Sequence, residues 1–198
     1  KIDNEHIRKI KMKTMYGLPK KVLFCKKTLI SNQRPNSALE FHHKAYDKKK
    51  TIGFDKNQIS DSWHYSQIKK KINFKEREKK LLKLLDKHRG KYGKYDCIVP
   101  GSGGKDSCYA SHILKYKYGM NPLTVTWPPI LYTDYGKKNF QNWLASGRFD
   151  NISAKRDEMS MIKLTKLGIL NLMHPFQTFM LGQKNFPIKI ALKMNIPL

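Results

Sequence analysis

The sequence predicts an α/β fold with a parallel sheet at its centre, preceded by a small irregular N-terminal module. From residue 95 onward, short apolar strands alternate with amphipathic helices through short connections. Parallel strands need helical crossovers, so this alternation favours a parallel sheet. The first strand also runs directly into a glycine-rich loop that opens a helix. We expect residues 1–72 to form the module and residues 73–198 to form the α/β domain.

The N-terminal module shows no periodic pattern of apolar residues. Residues 1–24 are basic, and residues 31–37 (SNQRPNS) are a cluster of turn formers. The cysteines of the chain, Cys25, Cys97 and Cys108, are too few and too scattered for a disulfide framework. The module is therefore predicted to be loop-rich, and the cysteines to be reduced.

A helix over residues 73–90 is predicted to link the module to the domain. Asn73 can cap this helix, Glu76 completes a variant of the capping box, and Gly90 ends it. Four side chains at helical spacing share one face, and we interpret the histidine among them as a packing residue: Leu81, Leu84, Leu85 and His88.

The first strand of the domain is predicted at residues 95–99, and the glycine loop follows at residues 101–107. The pattern then becomes helical up to Gly119. The next strand is predicted at residues 123–127, followed by a helix over residues 136–146 that turns three side chains inward: Phe140, Trp143 and Leu144.

The remaining elements continue the alternation. A third strand is predicted at residues 149–153 and a helix at residues 159–172. A last helix is predicted to begin at Ile188, directly after Pro187, because proline disfavours a helix interior. Residues 196–198 look like the start of a further strand, so we expect the chain to be a fragment or a shortened member of its fold.

The composition predicts a soluble, cytoplasmic protein that does not bind membranes. The chain has no apolar run of transmembrane length, and its charged N-terminus is unlike a signal peptide. Its formal net charge of +25 attracts polyanions, which leaves a nucleic acid or an anionic small substrate as the partner. The basic residues are mostly lysine rather than arginine, which favours the small substrate.

The loop at residues 101–107 (GSGGKDS) is typical of a phosphate-binding loop. Gly103 and Gly104 allow the backbone to bend tightly and to bring its N–H groups close to a ligand. The N-terminus of the following helix adds an anion-binding dipole. The spacing matches neither a Walker A loop nor a dinucleotide fingerprint.

The side chains of the loop complete the predicted phosphate site. The hydroxyls of Ser102 and Ser107 can donate to phosphate oxygens, and Lys105 supplies positive charge. Asp106 can hold a Mg²⁺ ion that bridges the phosphates. The loop also follows the carboxyl end of a strand, where open α/β sheets bind ligands.

The run 102–107 after an apolar strand resembles the PP-loop of Rossmann-like proteins with the adenine nucleotide alpha-hydrolase-like fold. Further stretches resemble the N-acetyl sugar amidotransferase family of this class, and with the loop they extend over nearly the whole chain: 25–37, 96–107, 131–134, 138–142, 174–177 and 182–185. The resemblance implies the cofactors ATP and Mg²⁺ and catalytic roles for Lys105 and Asp106. It also implies cleavage of ATP between the α and β phosphates.

The implied reaction converts an acetamido group of an N-acetyl sugar, nucleotide-linked or free, into an acetamidino group. AMP and pyrophosphate are the products. Such sugars serve lipopolysaccharide O-antigen, or the pseudaminic and legionaminic acids of flagella and surface glycans. The ammonia would come from glutaminase and cyclase-like partner subunits. Four residues outside the loop are weaker candidates for substrate contacts: Asp134, Asn139, His174 and Lys184.

The chain departs from the family pattern at two places. The family carries two Cys-x-x-Cys pairs that indicate a zinc knuckle, but only Cys25 remains here, so we expect the zinc to be lost. His42, His43 and His64 have no usual ligand spacing. Gly101 stands where a branched apolar residue is expected, which predicts a looser strand end.

Two alternative functions stay open at this point. One is a tRNA-modifying PP-loop enzyme, which the charge favours and the lack of a Cys-x-x-Cys pair disfavours for the thiolating type. The other is an inactive remnant that binds nucleotide without turning it over.

Overall fold

The computed structural model describes residues 17–35, 47 and 50–198. The chain divides into two compact units, Lys1–Phe74 and Lys75–Leu198, so the division lies two residues beyond the predicted boundary. The predictions for residues 1–16, His42 and His43 lie outside the described residues.

The described part of the first unit is irregular apart from one helix. Isolated antiparallel bridges join three pairs of residues: Phe24 with Ser31, Pro35 with Thr51, and Phe54 with Ser60. Helix α1 (Asp61–Lys70) has no buried residue and was not predicted, because its sequence lacks an apolar stripe. Its acidic first turn and basic last turn complement the helix dipole.

The second unit contains the predicted parallel sheet. Strands β1 (Cys97–Pro100), β2 (Pro122–Thr126) and β3 (Asn151–Ser153) are parallel, in the order β1-β2-β3. Ile98 pairs with Leu123, and Thr124 pairs with Asn151. The mixed α/β class with a parallel sheet is thereby confirmed.

Strand β1 begins two residues later than predicted, because Asp96 is held by the turns around it. Its carboxylate accepts hydrogen bonds from the backbone N–H of Gly90 (2.6 Å) and Asn121 (2.7 Å). The buried carboxylate therefore orders the entry to the sheet before the ladder starts.

From Phe74 onward the helices follow one another in the sequence order that was predicted, with different ends. They are α2 (Phe74–Asp86), α3 (Lys105–His112), which continues as a π-helical turn (Ile113–Lys117), α4 (Asp134–Gly147), α5 (Glu158–Leu172) and α6 (Gln177–Met194). In α2, only Leu85 of the predicted apolar face is buried, and the side chain of Leu84 is 51% exposed. His88 Nδ1 forms a hydrogen bond with the Tyr92 hydroxyl, so the imidazole does not simply complete an apolar face.

The prediction that the last helix begins at Ile188 is wrong, since α6 runs from Gln177 through Pro187. Proline lacks the N–H that would bond to the carbonyl of Gln183, which costs one helical hydrogen bond. Pro187 is buried in the second unit, and α6 packs on β1 and β2. Tertiary burial therefore outweighs the helix-breaking tendency of this proline.

The segment after α6 lies beside the edge of β1 that faces away from β2. The backbone N–H of Ile98 donates to the carbonyl of Pro197 at 2.8 Å. Ile196 joins the buried core of the sheet, which it forms with three strand residues: Ile98, Leu123 and Val125. Residues 196–198 thus make a strand-like contact, although they are not part of a regular strand.

Candidate phosphate-binding site

A cavity of about 580 Å³ opens at the carboxyl ends of β1 and β2. The glycine loop and the first turn of α3 form one wall of this cavity, which includes five of the six predicted loop residues: Ser102, Gly104, Lys105, Asp106 and Ser107. The other wall contains Trp127 from the end of β2, with Gln183 and Pro187 from α6.

Gly103 shapes the loop without lining the cavity. Its φ of +84° is a left-handed conformation that strains other residues. A Cβ atom at this position would lie 2.6 Å from Phe140 Cα and 2.7 Å from Phe140 N. Gly103 therefore lets the loop rest directly on the backbone of α4.

The expected looseness at Gly101 is wrong. Its backbone N–H donates to the carbonyl of Val125 at 3.0 Å, so the pairing of β1 with β2 continues through this residue. A Cβ atom here would lie 2.5 Å from the Trp143 ring and 2.7 Å from Ser107 Cβ. A branched side chain has no room at this position, and glycine is what the packing requires.

Trp143 connects the glycine loop to α3. Its side chain is buried, and its indole Nε1–H donates to Ser111 Oγ at 2.8 Å. Ser111 Oγ in turn lies 2.8 Å from the carbonyl oxygen of Ser107 and donates to it. This chain of contacts ties the loop, α3 and α4 into one support.

Within the described part of the chain, no side chain caps the N-terminus of α3, so its first backbone N–H groups point to the cavity side of the loop without a side-chain acceptor. The N-cap of this helix is Gly104, which has no side chain to satisfy them. The helices on either side of β3 are capped by side chains: Thr133 Oγ1 accepts from Gly136 N–H, and Asp157 Oδ2 accepts from Ser160 N–H. An uncapped helix end that opens on a cavity is suited to bind an anion.

The polar side chains of the loop suit a phosphate group with a divalent cation. Lys105 and Asp106 are exposed, and neither forms an ion pair within the described ranges. Ser107 Oγ donates to the Gly104 carbonyl at 3.0 Å, and rotation of its hydroxyl can redirect this donor to a ligand. A Mg²⁺ ion at the single Asp106 carboxylate would take its other ligands from phosphate oxygens and water.

The four weaker candidates do not line the cavity. Asp134 lies in the first turn of α4, and the backbone of Asn139 lies beside Gly103. His174 lies between α5 and α6 with its Nδ1 atom buried and unpaired. Lys184 is exposed on α6, next to Gln183, which lines the cavity.

Trp127 and Gln183 were missed in the sequence as residues of this site. Trp127 ends the second strand, and the carboxyl end of a parallel strand is a signal that could have identified it. Gln183 belongs to the stretch 182–185 that carries the resemblance, but nothing local placed it at this cavity, because it lies one helical turn before Pro187 in a segment that was not predicted to be helical.

Cys25 lies in a separate polar cluster in the first unit. Its sulfur accepts hydrogen bonds from the backbone N–H groups of Ser60 (3.2 Å) and Lys27 (3.4 Å). Ser60 Oγ also lies 3.4 Å from Thr28 Oγ1 and 2.9 Å from Ser62 Oγ. The hydroxyls of Thr28 and Ser60 thus lie beside the thiol.

These surroundings lower the pKa of the Cys25 thiol. Burial alone raises the pKa, but the hydrogen bonds from the side chains of Ser60 and Thr28 and from the two backbone N–H groups lower it, to about 6. His64 is turned to Asp55 (2.8 Å) instead of the sulfur. Within the described ranges, no three histidine, cysteine or acidic side chains converge as metal ligands.

The other two cysteines differ from Cys25. Burial and the nearby Asp96 carboxylate raise the pKa of Cys97 to about 11, and burial raises the pKa of Cys108. Both are free thiols that are partly buried, in β1 and α3. No helix in the described part of the chain has the length and apolarity needed to span a bilayer.

Comparison with known proteins gives one partial match and no family. No family model matches the chain. A stretch of 60 residues is 40% identical to the uncharacterized protein MJ1599 of Methanocaldococcus jannaschii, and it covers 30% of this chain and 22% of that protein. The likeness is thus to a short segment of a protein without a stated activity.

Proposed function

We propose that this chain is an ATP-dependent amidotransferase of the PP-loop class that acts on the acetamido group of an N-acetyl sugar. One observation carries the nucleotide part of the proposal: an uncapped helix N-terminus and a glycine loop with Ser102, Lys105 and Asp106 line one cavity. The resemblance of the residues quoted above carries the choice of acceptor.

In the proposed site, the loop holds the β and γ phosphates of ATP. The backbone N–H groups at the start of α3 would donate to phosphate oxygens, and Lys105 would offset their charge. Asp106 would hold Mg²⁺, which neutralises the pyrophosphate as it leaves. The protein thereby supplies positioning and electrostatic stabilisation, which carry most of the catalysis in phosphoryl and nucleotidyl transfer.

In the proposed reaction, the acetamido group of the sugar is converted in two steps. The amide oxygen attacks the α-phosphorus and forms a P–O bond, and pyrophosphate leaves. Ammonia then attacks the amide carbon, and AMP leaves with the original oxygen and a proton. The product is an amidine. Partner subunits of the glutaminase and cyclase-like kind would supply the ammonia, and the product would enter a surface polysaccharide or a flagellar glycan.

The proposal is tested by product formation from Mg·ATP. AMP and pyrophosphate are measured with ammonium and N-acetyl sugars, free or UDP-linked, for the native chain and for Asp106→Ala. Sugar-stimulated AMP release that is lost in the variant supports the proposal. ATP binding without AMP release identifies an inactive remnant instead.

A second candidate function is modification of tRNA by the same loop. The observation that favours it is the formal net charge of +25, since basic domains bind nucleic acid through phosphate contacts. The reaction type would be the same, with a base carbonyl in place of the sugar amide.

A further inference from the structure

Helix α5 has apolar side chains on most of its circumference, but little of it is covered by the fold. It packs against α6, and among its residues, all of which are described, only Gly168 is buried. A helix that is apolar on all sides is usually enclosed in a core, so α5 has less cover than its sequence favours. Its exposed apolar side chains include Met159, Ile162, Leu167, Ile169 and Leu170.

One row of side chains on α5 is self-complementary in charge. Glu158, Ile162 and Lys166 follow one another at intervals of four residues, which places them along one side of the helix. All three are exposed, and neither Glu158 nor Lys166 forms an ion pair with another described residue. An apolar residue therefore stands at the centre of the row, with a carboxylate one turn before it and an ammonium group one turn after it. Met159 and Ile169 widen this side of the helix with apolar surface.

The dimensions and the charge of this helix favour a protein as its cover. The helix is about 22 Å long, and the exposed apolar surface continues past its end through Met173 and Phe176. A standard protein interface takes about 800 Å² from each partner, and a helix of this length provides a large part of that area. A helix that lies on a membrane needs one strongly charged face, whereas the basic residues of α5 are few, namely Lys163 and Lys166.

We propose that α5 forms the interface of a homodimer, in which two copies of the helix cross antiparallel at Ile162. Residues four positions before and after the crossing then lie opposite each other, so Glu158 of each copy faces Lys166 of the other. A two-fold axis requires this reciprocity, because residue i contacts residue j and residue j contacts residue i. The two ion pairs also bring together copies whose formal net charge of +25 would otherwise keep them apart.

Sedimentation velocity of the whole chain, over a range of protein concentrations, tests the apolar centre of this interface. In Ile162→Glu, the two copies would hold like charges in contact at the crossing. The matched control is Leu131→Glu, because Leu131 is 86% exposed in the same unit and lies outside α5. We expect the native chain and the control to sediment as dimers, and Ile162→Glu to raise the dissociation constant by roughly tenfold or more. Circular dichroism verifies that the variants are folded.

A charge exchange tests the pairing itself, and it decides the question even where Ile162→Glu fails to fold. Glu158→Lys and Lys166→Glu each place like charges opposite each other, so each should weaken the dimer by roughly fivefold or more. Lys166→Glu is the sharper of the two, since it lowers the net charge of each copy and general repulsion alone would predict a tighter dimer. The double variant restores opposite charges at the native net charge, and we expect it to recover most of the native affinity.

Three results would overturn the inference. The first is a native chain that stays monomeric at every concentration, or a dimer that withstands Ile162→Glu. The second is a double variant that binds no better than the two single variants, which contradicts the antiparallel pairing. The third is a native monomer that co-sediments with vesicles of phosphatidylcholine and phosphatidylserine and loses this binding in Ile162→Glu, which would assign α5 to a membrane surface.

Discussion

At the scale of single residues, the two adjacent glycines of the loop, Gly103 and Gly104, differ in whether a side chain could be accommodated. Gly103 has a φ of +84° and no space for a Cβ atom beside Phe140. Gly104 has an ordinary φ of −76°, and no atom lies within 4 Å of a Cβ built there. Only the first glycine is required by the fold of the loop.

The pair gives a matched stability prediction. We expect Gly103→Ala to lower the free energy of unfolding by roughly 2 kcal/mol or more, through backbone strain and the contact with α4. Gly104→Ala should lower it by much less, because the φ of Gly104 is ordinary and a methyl group there meets no atom within 4 Å, which leaves only the poorer N-cap preference of alanine. Urea denaturation of both variants measures this difference, and equal losses would contradict the described loop geometry.

Cys25 gives a prediction for pH. The folded state lowers the pKa of its thiol from 9.0 to about 6, so folding favours the thiolate. The contribution to stability is therefore complete above pH 9 and is lost as the pH falls through 6. We expect the melting temperature of the native chain, relative to Cys25→Ser, to rise between pH 6 and pH 9.

Comparison with the variant isolates the cysteine from all other titrating groups. Both proteins are melted in matched buffers at several pH values, and the difference between their melting temperatures is plotted against pH. A difference that stays constant across this range would show that the thiol is not ionised in the fold. Ser60→Ala, which removes one of the lowering hydrogen bonds, should reduce the slope.

Residue types in the loop could be predicted from the sequence, since glycines, serines, lysine and aspartate have local chemistry that does not depend on distant contacts. Trp127 and Gln183 depend on how α6 packs against β2, and no local pattern records this. The fit of Gly101 against Trp143 is likewise a tertiary contact, which is why glycine there was wrongly expected to loosen the strand.

At the scale of elements, the loop is supported by the contact between α3 and α4 through Ser111 and Trp143. Both side chains are buried, and the indole N–H has one acceptor, Ser111 Oγ. Ser111→Ala leaves this donor buried and unpaired, which should cost about 1–3 kcal/mol.

A double-mutant cycle separates this hydrogen bond from packing. Trp143→Phe removes the donor together with part of the ring, so it destabilises the chain by itself. In the Trp143→Phe background, we expect Ser111→Ala to cost less by about 1 kcal/mol. If Ser111→Ala costs the same in both backgrounds, the two residues are not coupled and the support of the loop lies elsewhere.

Some helices and strands could be predicted from the local sequence pattern, and others could not. Strands β1 to β3 and helices α3 to α5 could be predicted because apolar periodicity and glycine boundaries mark them. The start of α6 could not, since Pro187 reads as a helix boundary and only its burial in the folded unit makes a helix interior acceptable. Helix α1 has no apolar stripe to detect.

At the scale of the whole molecule, two surface features stand out. The formal net charge is +25, and α5 with the segment after it exposes many apolar side chains, among them Ile162, Leu170 and Met173. Exposed apolar patches of this kind often mark sites of association. The charge favours anionic ligands of any class, and by itself it does not choose between a nucleotide sugar and RNA.

The salt dependence of tRNA binding shows whether RNA is a specific ligand or is bound only through the general positive charge. If the chain meets RNA only through its general charge, binding of a tRNA should weaken steeply, by about 10³-fold or more between 50 and 200 mM salt, and a duplex DNA of similar size should bind equally well. Fluorescence anisotropy titrations measure both. A tRNA complex that resists 200 mM salt and excludes the DNA would favour the tRNA-modifying alternative.

The central claim is that the glycine loop binds the polyphosphate of ATP, and calorimetric titration with Mg·ATP and with pyrophosphate tests it most directly. Two lysine variants give the contrast, because Lys105 lines the cavity and Lys184 does not. The account predicts that Lys105→Ala weakens binding of both ligands by roughly tenfold or more, while Lys184→Ala leaves it unchanged. Absence of binding by the native chain, or equal weakening in the two variants, would contradict it.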